Sequence, residues 1–407
     1  MKTMLSLDEA SEIMSGICQA TGTESVELME ALDRVLAEDV RAAEDIPPFD
    51  RSPFDGYALR AADLASASAE QPATLRVTEE IPAGNTPART VNPGQAAKIM
   101  TGSPIPPGAD CVVKFEEVSA EGAHVIVSAP FPSGRNIIPA GEDMGKGAMA
   151  AQKGTVINPA MIGLLASLGI QDVPVYLRPK VAILSTGNEI VPTGAAVLPP
   201  GKIRDSSAFA LAGALRTNGA APLFLGIARD EAEVIGEAIE DGLRDADMVI
   251  TTGGVSVGDY DMVKEAVRQI GADALFWRIR IKPGAAILAA LKHGKLILCL
   301  SGNPGAAMIS FQLLAAPFIR RIAGHARWQN REIDVTLKEG FKKPSLCKRL
   351  VRGHLVIEDG RAVMSVTENQ GNGVLSSFIG ADLLGAIPEG SGPVPPGTRI
   401  KAYMTGG

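Results

Sequence analysis

The chain has 407 residues, enough for two to four domains, with few aromatics and with 44 glycines and 28 prolines that imply many turns. Its formal net charge of −7 argues against non-specific binding to nucleic acid or to anionic membranes. The four cysteines (Cys18, Cys111, Cys299 and Cys347) are scattered without a CxxC pair, and the four histidines are isolated, which argues against a zinc site and a disulfide framework. Neither a signal-peptide pattern nor an apolar run of membrane-spanning length is found, so a cytosolic protein is expected.

The N-terminus opens with Ser6-Leu-Asp-Glu9, a capping box, followed by Ala10, Ile13, Met14 and Ile17 at helical spacing. From about 42 to 140, short apolar alternations such as Ala73–Val77 and His124–Val127 lie between Pro/Gly clusters and predict a small β-rich domain. Ile157 to Leu168 reads as a helix, with Asn158-Pro159 at its start. From Pro179 to about 325 strands and helices alternate. Strands are expected at Val181–Leu184, Leu223–Leu225, Met248–Ile250, Leu275–Ile281, Ala286–Leu291 and Lys295–Leu300. Helices are expected at Ser207–Asn218, Glu231–Arg244, Val263–Ile270 and Ala306–Ile322. Such alternation predicts a mainly parallel sheet covered by helices on both faces. Ile333–Leu337, Leu355–Ile357 and Arg399–Ala402 predict a second small β domain at the C-terminus.

The polar motifs of the α/β segment fall just after its strands. They are Ser185-Thr-Gly-Asn-Glu189, Arg229-Asp230, Thr251-Thr-Gly-Gly-Val-Ser-Val-Gly-Asp-Tyr-Asp261, Lys282-Pro-Gly284 and Ser301-Gly-Asn-Pro304. In a parallel sheet ligands bind at the carboxyl ends of strands. Glycines at a strand-to-helix turn let backbone N–H groups approach an anion. The placement would put Glu189, Asp230, Asp261 and Lys282 on one rim, where three carboxylates repel unless a cation joins them. Read singly, these residues have plainer explanations: Asp55 as a turn residue, Thr101 as a strand-end cap, Lys282 as a solvated turn lysine, Trp277 as packing, Ser377 as a helix cap.

The order of the motifs carries a resemblance. Ser52-Pro-Phe-Asp-Gly-Tyr-Ala58, Lys98-Ile-Met-Thr-Gly102, Pro106-Pro-Gly-Ala-Asp110, Gly141-Glu-Asp143, Ser185–Glu189, Gly253–Gly258 with Asp261, Lys282–Gly284 and Gly302-Asn-Pro304 span nearly the whole chain. In this it resembles the MoeA/gephyrin E-domain family, the molybdopterin molybdenumtransferases. The resemblance implies a multidomain fold of α/β plus β type. An elongated N-terminal domain comes from two segments (1–41 and 141–177), an inserted β domain from 42–140, a three-layer molybdopterin-binding α/β domain from 178–327, and a C-terminal β domain from 328–407.

It also implies a Mg²⁺-dependent homodimer, with an active-site cleft drawing on both subunits, that converts adenylylated molybdopterin and molybdate to molybdenum cofactor and releases AMP. By matched position, Asp55, Thr101, Glu189, Asp230, Asp261, Arg278 and Lys282 are catalytic, and Glu189, Asp230 and Asp261 are the metal ligands. Ser185, Thr186, Gly253, Gly254, Ser256, Gly258, Gly302, Asn303, Pro304, Arg352 and Ser377 are the implied substrate-binding residues, Arg352 and Ser377 at the oxyanion. An upstream adenylyltransferase and acceptor molybdoenzymes are the implied protein partners; nucleic acid and membrane are not expected.

The chain departs from the family pattern at four places. Ala285 stands where the family has Lys, Ala306 where it has Ser, Ser207 where it has Asn, and Ile137–Ala140 lacks an Arg. Ala285 and Ala306 remove groups that help hold molybdate. The alternative function is therefore a paralogue that binds molybdopterin without catalysis, as carrier or scaffold. The full carboxylate set favours the enzyme, and a general nucleotide-binding enzyme lacks its P-loop or GxGxxG here.

Overall fold

The computed structural model describes residues 1–255 and 262–405. They form two compact units: Met1–Glu38 with Lys153–Asn158 and Val173–Gly407, and Asp39–Gln152 with Pro159–Asp172.

The larger unit is built on a seven-stranded sheet. Its strands are β1 (Lys2–Leu5), β2 (Lys180–Thr186), β3 (Ala221–Ala228), β4 (Met248–Thr252), β5 (Asp273–Ile279), β6 (Ile287–Lys292) and β7 (Lys295–Leu300), in the spatial order β1-β5-β6-β7-β4-β2-β3. The pairs β3/β2, β2/β4, β4/β7 and β1/β5 are parallel. Only β6 runs against its neighbours, because the turn His293-Gly294 folds it back on β7 as a hairpin. The helices are α1 (Leu7–Gly16), α2 (Ser207–Thr217), α3 (Ala232–Asp245), α4 (Met262–Gln269), α5 (Pro304–Ser310) and α6 (Ala316–Ile322). Alternate residues of each central strand face opposite layers. Val181, Ile183, Met248, Ile250, Leu296 and Leu298 pack with α1, α2, α5 and α6. Ala182, Leu184, Val249, Ile297 and Cys299 pack with α3 and α4. The result is the expected three-layer α/β arrangement.

The sequence expectation of one strand over Leu275–Ile281 is corrected. β5 stops at Ile279, and Ile281–Lys282 pairs instead with Lys348–Arg349 of a second sheet. That sheet holds Glu332–Leu337, Lys348–Glu358, Arg361–Val366, Leu383–Ile387 and Arg399–Met404. Lys348–Glu358 pairs with both Arg361–Val366 and Leu383–Ile387, which closes the five strands into a barrel around Val335, Leu337, Val351, Met364 and Ile400. The single helix expected over Ala306–Ile322 is α5 and α6 joined by a π-turn, Phe311–Ala315. Pro317, which has no N–H to donate, lies one residue into α6.

The smaller unit carries a six-stranded sheet in the order Cys111–Lys114, Gly56–Leu59, Gln95–Ile99, Ala73–Ile81, His124–Val127, Ser119–Glu121. Its two faces bury separate clusters, one around Leu59, Leu64, Val113 and Val125, the other around Ile81, Val91, Ile99 and Val112. Among the described residues, no helix is long and apolar enough to cross a membrane.

The packing of α3 on the sheet depends on a missing side chain. A Cβ at Gly242 would lie 2.7 Å from Leu225 Cδ1 and 3.2 Å from both Ala182 Cβ and Val249 Cγ2. Gly242→Val should therefore cost about 1–3 kcal/mol through overpacking. Both tryptophans, Trp277 and Trp328, lie in this unit, so its urea midpoint can be followed by their fluorescence. An unchanged midpoint would refute the close contact.

Candidate functional site

The four parallel strands β3, β2, β4 and β7 end level with one another. Ala228 is opposite Thr186, Ser185 opposite Thr252, and Thr252 opposite Leu300. Each continues into one of the sequence motifs: Arg229-Asp230, Gly187-Asn188-Glu189, Gly253-Gly254 and Ser301–Pro304. One rim therefore gathers residues from four distant parts of the chain.

Backbone meets backbone along this rim. Gly253 N donates to Leu300 O at 3.1 Å. A Cβ at Gly253 would sit 2.2 Å from Thr186 O, and one at Gly302 would sit 3.2 Å from Gly253 Cα. Gly253 also has φ +104°, so glycine is required there on two counts. The Thr186 hydroxyl donates to Thr252 O (3.5 Å), and the Thr252 hydroxyl to Ser301 O (3.4 Å), stitching neighbouring loops together.

The acidic residues are held in different ways. Asp230 and Asn188 bond reciprocally: Asn188 N donates to Asp230 Oδ2 (3.2 Å), and Asp230 N to Asn188 Oδ1 (3.4 Å). The Glu189 carboxylate folds over Gly187, where a Cβ would lie 2.7 Å from Glu189 Oε2. Glu189 O accepts from Ile203 N. The sequence expectation of three converging carboxylates reaches Glu189 and Asp230; Asp261, with Ser256, Gly258 and Asp259, lies outside the described residues. Among the described residues, no group of three or more His, Cys, Asp or Glu side chains is placed to hold a metal ion. Two carboxylates on adjacent loops are hard oxygen donors of the kind Mg²⁺ takes.

Ser185 is buried, and its hydroxyl is engaged. It donates to Asp205 Oδ2 at 2.6 Å, while Asp205 Oδ1 accepts from Ala208 N at the start of α2. Asp205 thus ties the end of β2 to the first turn of α2, where the N-cap residue Ser206 makes no side-chain cap of its own. Asp205 was not among the site residues expected from the sequence. Its tie to Ser185, twenty residues away in the chain, carries no local signal.

At the other end of the rim, Asn303 is the N-cap of α5, and Pro304 occupies its first turn. The Asn303 side chain makes no cap bond, and Ala306 N donates to Asn372 O from the barrel at 2.9 Å. The Ser310 hydroxyl bonds Gly284 O (3.2 Å) and Ala306 O (3.0 Å), holding the Lys282-Pro-Gly loop against the start of α5. Lys282 is exposed there, with no ion pair among the described residues. Arg278 adopts φ +64°, and its Nε is buried without a hydrogen-bond partner among the described residues. Its guanidinium lies 5.8 Å from the Trp277 ring centre, and Trp277 packs beside the α3–α4 layer.

Arg352, on the barrel strand Lys348–Glu358, is fully buried. Its Nη2 donates to Asn369 O and Gly371 O, both at 3.2 Å, while Nε and Nη1 have no hydrogen-bond partner among the described residues. The guanidinium lies 5.1 Å from the Phe378 ring centre, and burial lowers its pKa. Ser377, next to Phe378, is buried and donates to Val374 O. The loop that receives Arg352 is thus the same loop, 369–374, that bonds the start of α5.

The smaller unit brings Asp55 and Thr101 together. Thr101 N and Oγ1 both donate to Asp55 Oδ1, at 2.7 and 2.8 Å. These bonds hold the Asp55 carboxyl below its ordinary range, so it stays ionised at neutral pH.

Three family models cover the chain: the MoeA N-terminal region (domain I and II) at residues 5–169, a probable molybdopterin binding domain at 182–321, and the MoeA C-terminal region (domain IV) at 334–404. The molybdopterin molybdenumtransferase of Bacillus subtilis (strain 168) is 35% identical over 407 residues, covering 99% of this chain and 94% of its own. Two crystal structures of the molybdopterin biosynthesis moeA protein from Pyrococcus horikoshii match with TM-scores of 0.86 and 0.85, at 31% and 30% identity, covering 99% and 98% of this chain and all of theirs.

Replacing Thr101 by Val removes one of the two donors to Asp55. The Asp55 pKa should rise toward that of an unpaired carboxyl, because protonation then breaks fewer bonds. Carbon-13 NMR of the labelled Asp55 carboxyl reads this directly; an unmoved titration would mean that the hydroxyl bond does not form in solution.

Proposed function

The chain belongs to the MoeA family of molybdopterin molybdenumtransferases, and on that premise we propose that it inserts molybdenum from molybdate into adenylylated molybdopterin, releasing AMP, in molybdenum cofactor biosynthesis. The observation that carries this reading is Arg352. A buried guanidinium that has, among the described residues, two carbonyl partners and two nitrogens without a hydrogen bond is costly unless an anion completes it. An oxyanion accepting from those nitrogens would offset that cost, and guanidinium donors suit tetrahedral oxyanions.

The other assignments follow from the rim. Gly253, Gly254 and Gly302 present bare backbone to the pterin nucleotide, and Ser256 and Gly258, which follow Gly254 in the sequence, are assigned to the same ligand. Asn303 and Pro304 set the start of α5 beside it. Lys282 and Arg278 hold phosphate or molybdate oxygens, and Ser377 lies with Arg352 at the oxyanion. Ser185 and Thr186 act from beneath, since their hydroxyls are buried. Glu189, Asp230 and Asp261 are the ligands we assign to Mg²⁺, which when bound neutralises the phosphate charge during anhydride cleavage. Asp55, whose carboxylate accepts from Thr101, is assigned to the same reaction. We extend the proposal to a homodimer working in the cytosol.

One observation favours the second reading, a molybdopterin carrier. Gly284, which precedes Ala285, packs on the start of α5, where a Cβ would lie 3.3 Å from Ala306 O. The two departures therefore fall in one small region, where a family lysine and a family hydroxyl are both missing.

Purified protein given adenylylated molybdopterin, Mg²⁺ and molybdate should release AMP and yield cofactor that reconstitutes a molybdoenzyme. Asp261→Asn should lose most of the Mg²⁺-dependent release while keeping the wild-type melting temperature. Substrate binding without AMP release from the wild type would favour the carrier instead. Each hydrogen bond to a charged group is worth about 1.5–3 kcal/mol, so Ala285→Lys with Ala306→Ser should tighten molybdate binding at least tenfold in calorimetry. Tight wild-type binding with no gain in the double variant would make the two departures neutral.

A further inference from the structure

In the smaller unit, the strand Gly56–Leu59 begins between the ends of two others. Gly56 is opposite Ile99 on one side and Lys114 on the other. The strands approach so closely that a Cβ at Gly56 would meet Val113 O at 2.1 Å. Asp55, Thr101 and Lys114 are therefore brought to one end of the sheet, and Phe115 N donates to Asp55 O (3.3 Å) across the same junction.

The Lys114 ammonium lies 3.8 Å from the centre of the Phe54 ring, and Phe54 is 39% exposed. Lys98, on the far side of the Gly56–Leu59 strand, is in an ion pair with Glu80, and Glu117 is taken by Arg135. Lys114 has no such partner among the described residues, although Asp55 follows Phe54 directly. The carboxylate is turned to Thr101 and the ammonium to an aromatic face, so neither charge cancels the other. An aromatic ring narrows the range of a lysine side chain and leaves its N–H donors toward solvent. In a chain of net charge −7, a polyanionic substrate needs such local positive charge.

We propose that Lys114, seated on Phe54, is a substrate-positioning residue that binds a phosphate of the pterin nucleotide beside Asp55. The role rests on the function proposed above, with adenylylated molybdopterin as substrate.

The test measures binding of adenylylated molybdopterin without molybdate by calorimetry, and AMP release with molybdate, for wild type, Lys114→Met and Lys114→Arg. Methionine keeps the apolar stem on the ring and removes the charge. The expected result is binding weakened about tenfold and a raised KM with kcat nearly unchanged for Lys114→Met, with most of both recovered in Lys114→Arg. The wild type should also bind less tightly as salt is raised, and Lys114→Met should show a shallower dependence. Equal binding and equal salt dependence in Lys114→Met would overturn the inference. Wild-type binding without AMP release would overturn the catalytic reading and leave the Lys114 comparison readable, whereas a wild type that does not bind the nucleotide would overturn both.

Discussion

Three parallel ladders, joining four strands that end within a residue of one another, set the terms for the rest of the larger unit. Because Ala228 and Thr186 stop only one residue beyond Thr252 and Leu300, four loops must leave the sheet through one narrow strip. Side chains cannot all fit there. Gly253 is the outcome, its Cα against Gly302 and its N–H bonded to Leu300 O. The threonine hydroxyls beneath the strip bond to neighbouring loops rather than to solvent, which stiffens the loops above them. A site placed on such a rim inherits its precision from the sheet.

The barrel reaches this rim through two joints. Ile281–Lys282 leaves the sheet to become a short partner of the barrel strand carrying Arg352, and Asn372 O takes the N–H of Ala306 in α5. Lys282 and Arg352 are thereby tied to the same framework, one exposed and one buried. The difference in burial suits different tasks. A desolvated guanidinium interacts strongly with a small anion that displaces water. A solvated lysine acts at longer reach and loses less when the anion leaves.

Much of this was legible in the residues. The capping box at Ser6 and Glu9 forms as read, with both reciprocal hydrogen bonds. The strand-helix alternation gave the α/β layer, since each apolar run is long enough to cross a sheet once. Other features had no local signal. Lys2–Leu5 is a four-residue edge strand with one buried side chain, too short for a periodicity. The apolar run through Ile281 hides a change of partner sheet, because hydrophobicity does not record which neighbour supplies the ladder. Arg352 lies in an unremarkable Val-Arg-Gly stretch, and its burial follows from barrel closure alone. Asp55 and Thr101 were matched by motif order, yet the pair of hydrogen bonds joining them depends on a strand register that spans forty-six positions of chain.

The edge position of β1 bears on how the protein is made. Its partner β5 lies some 270 residues later, opposite Lys2 at Phe276. At about 5–20 residues per second, a ribosome takes on the order of half a minute to deliver that partner. Through that interval Leu5 and the apolar face of α1, which finally pack with Phe276, Ile279 and Phe311, have nothing to cover them. The smaller unit can meanwhile complete its own sheet, which draws on no strand from outside it. Residues 2–16 are thus housed only after Phe276 and Phe311 have been made, and until then the nascent chain carries α1 as an exposed hydrophobic surface.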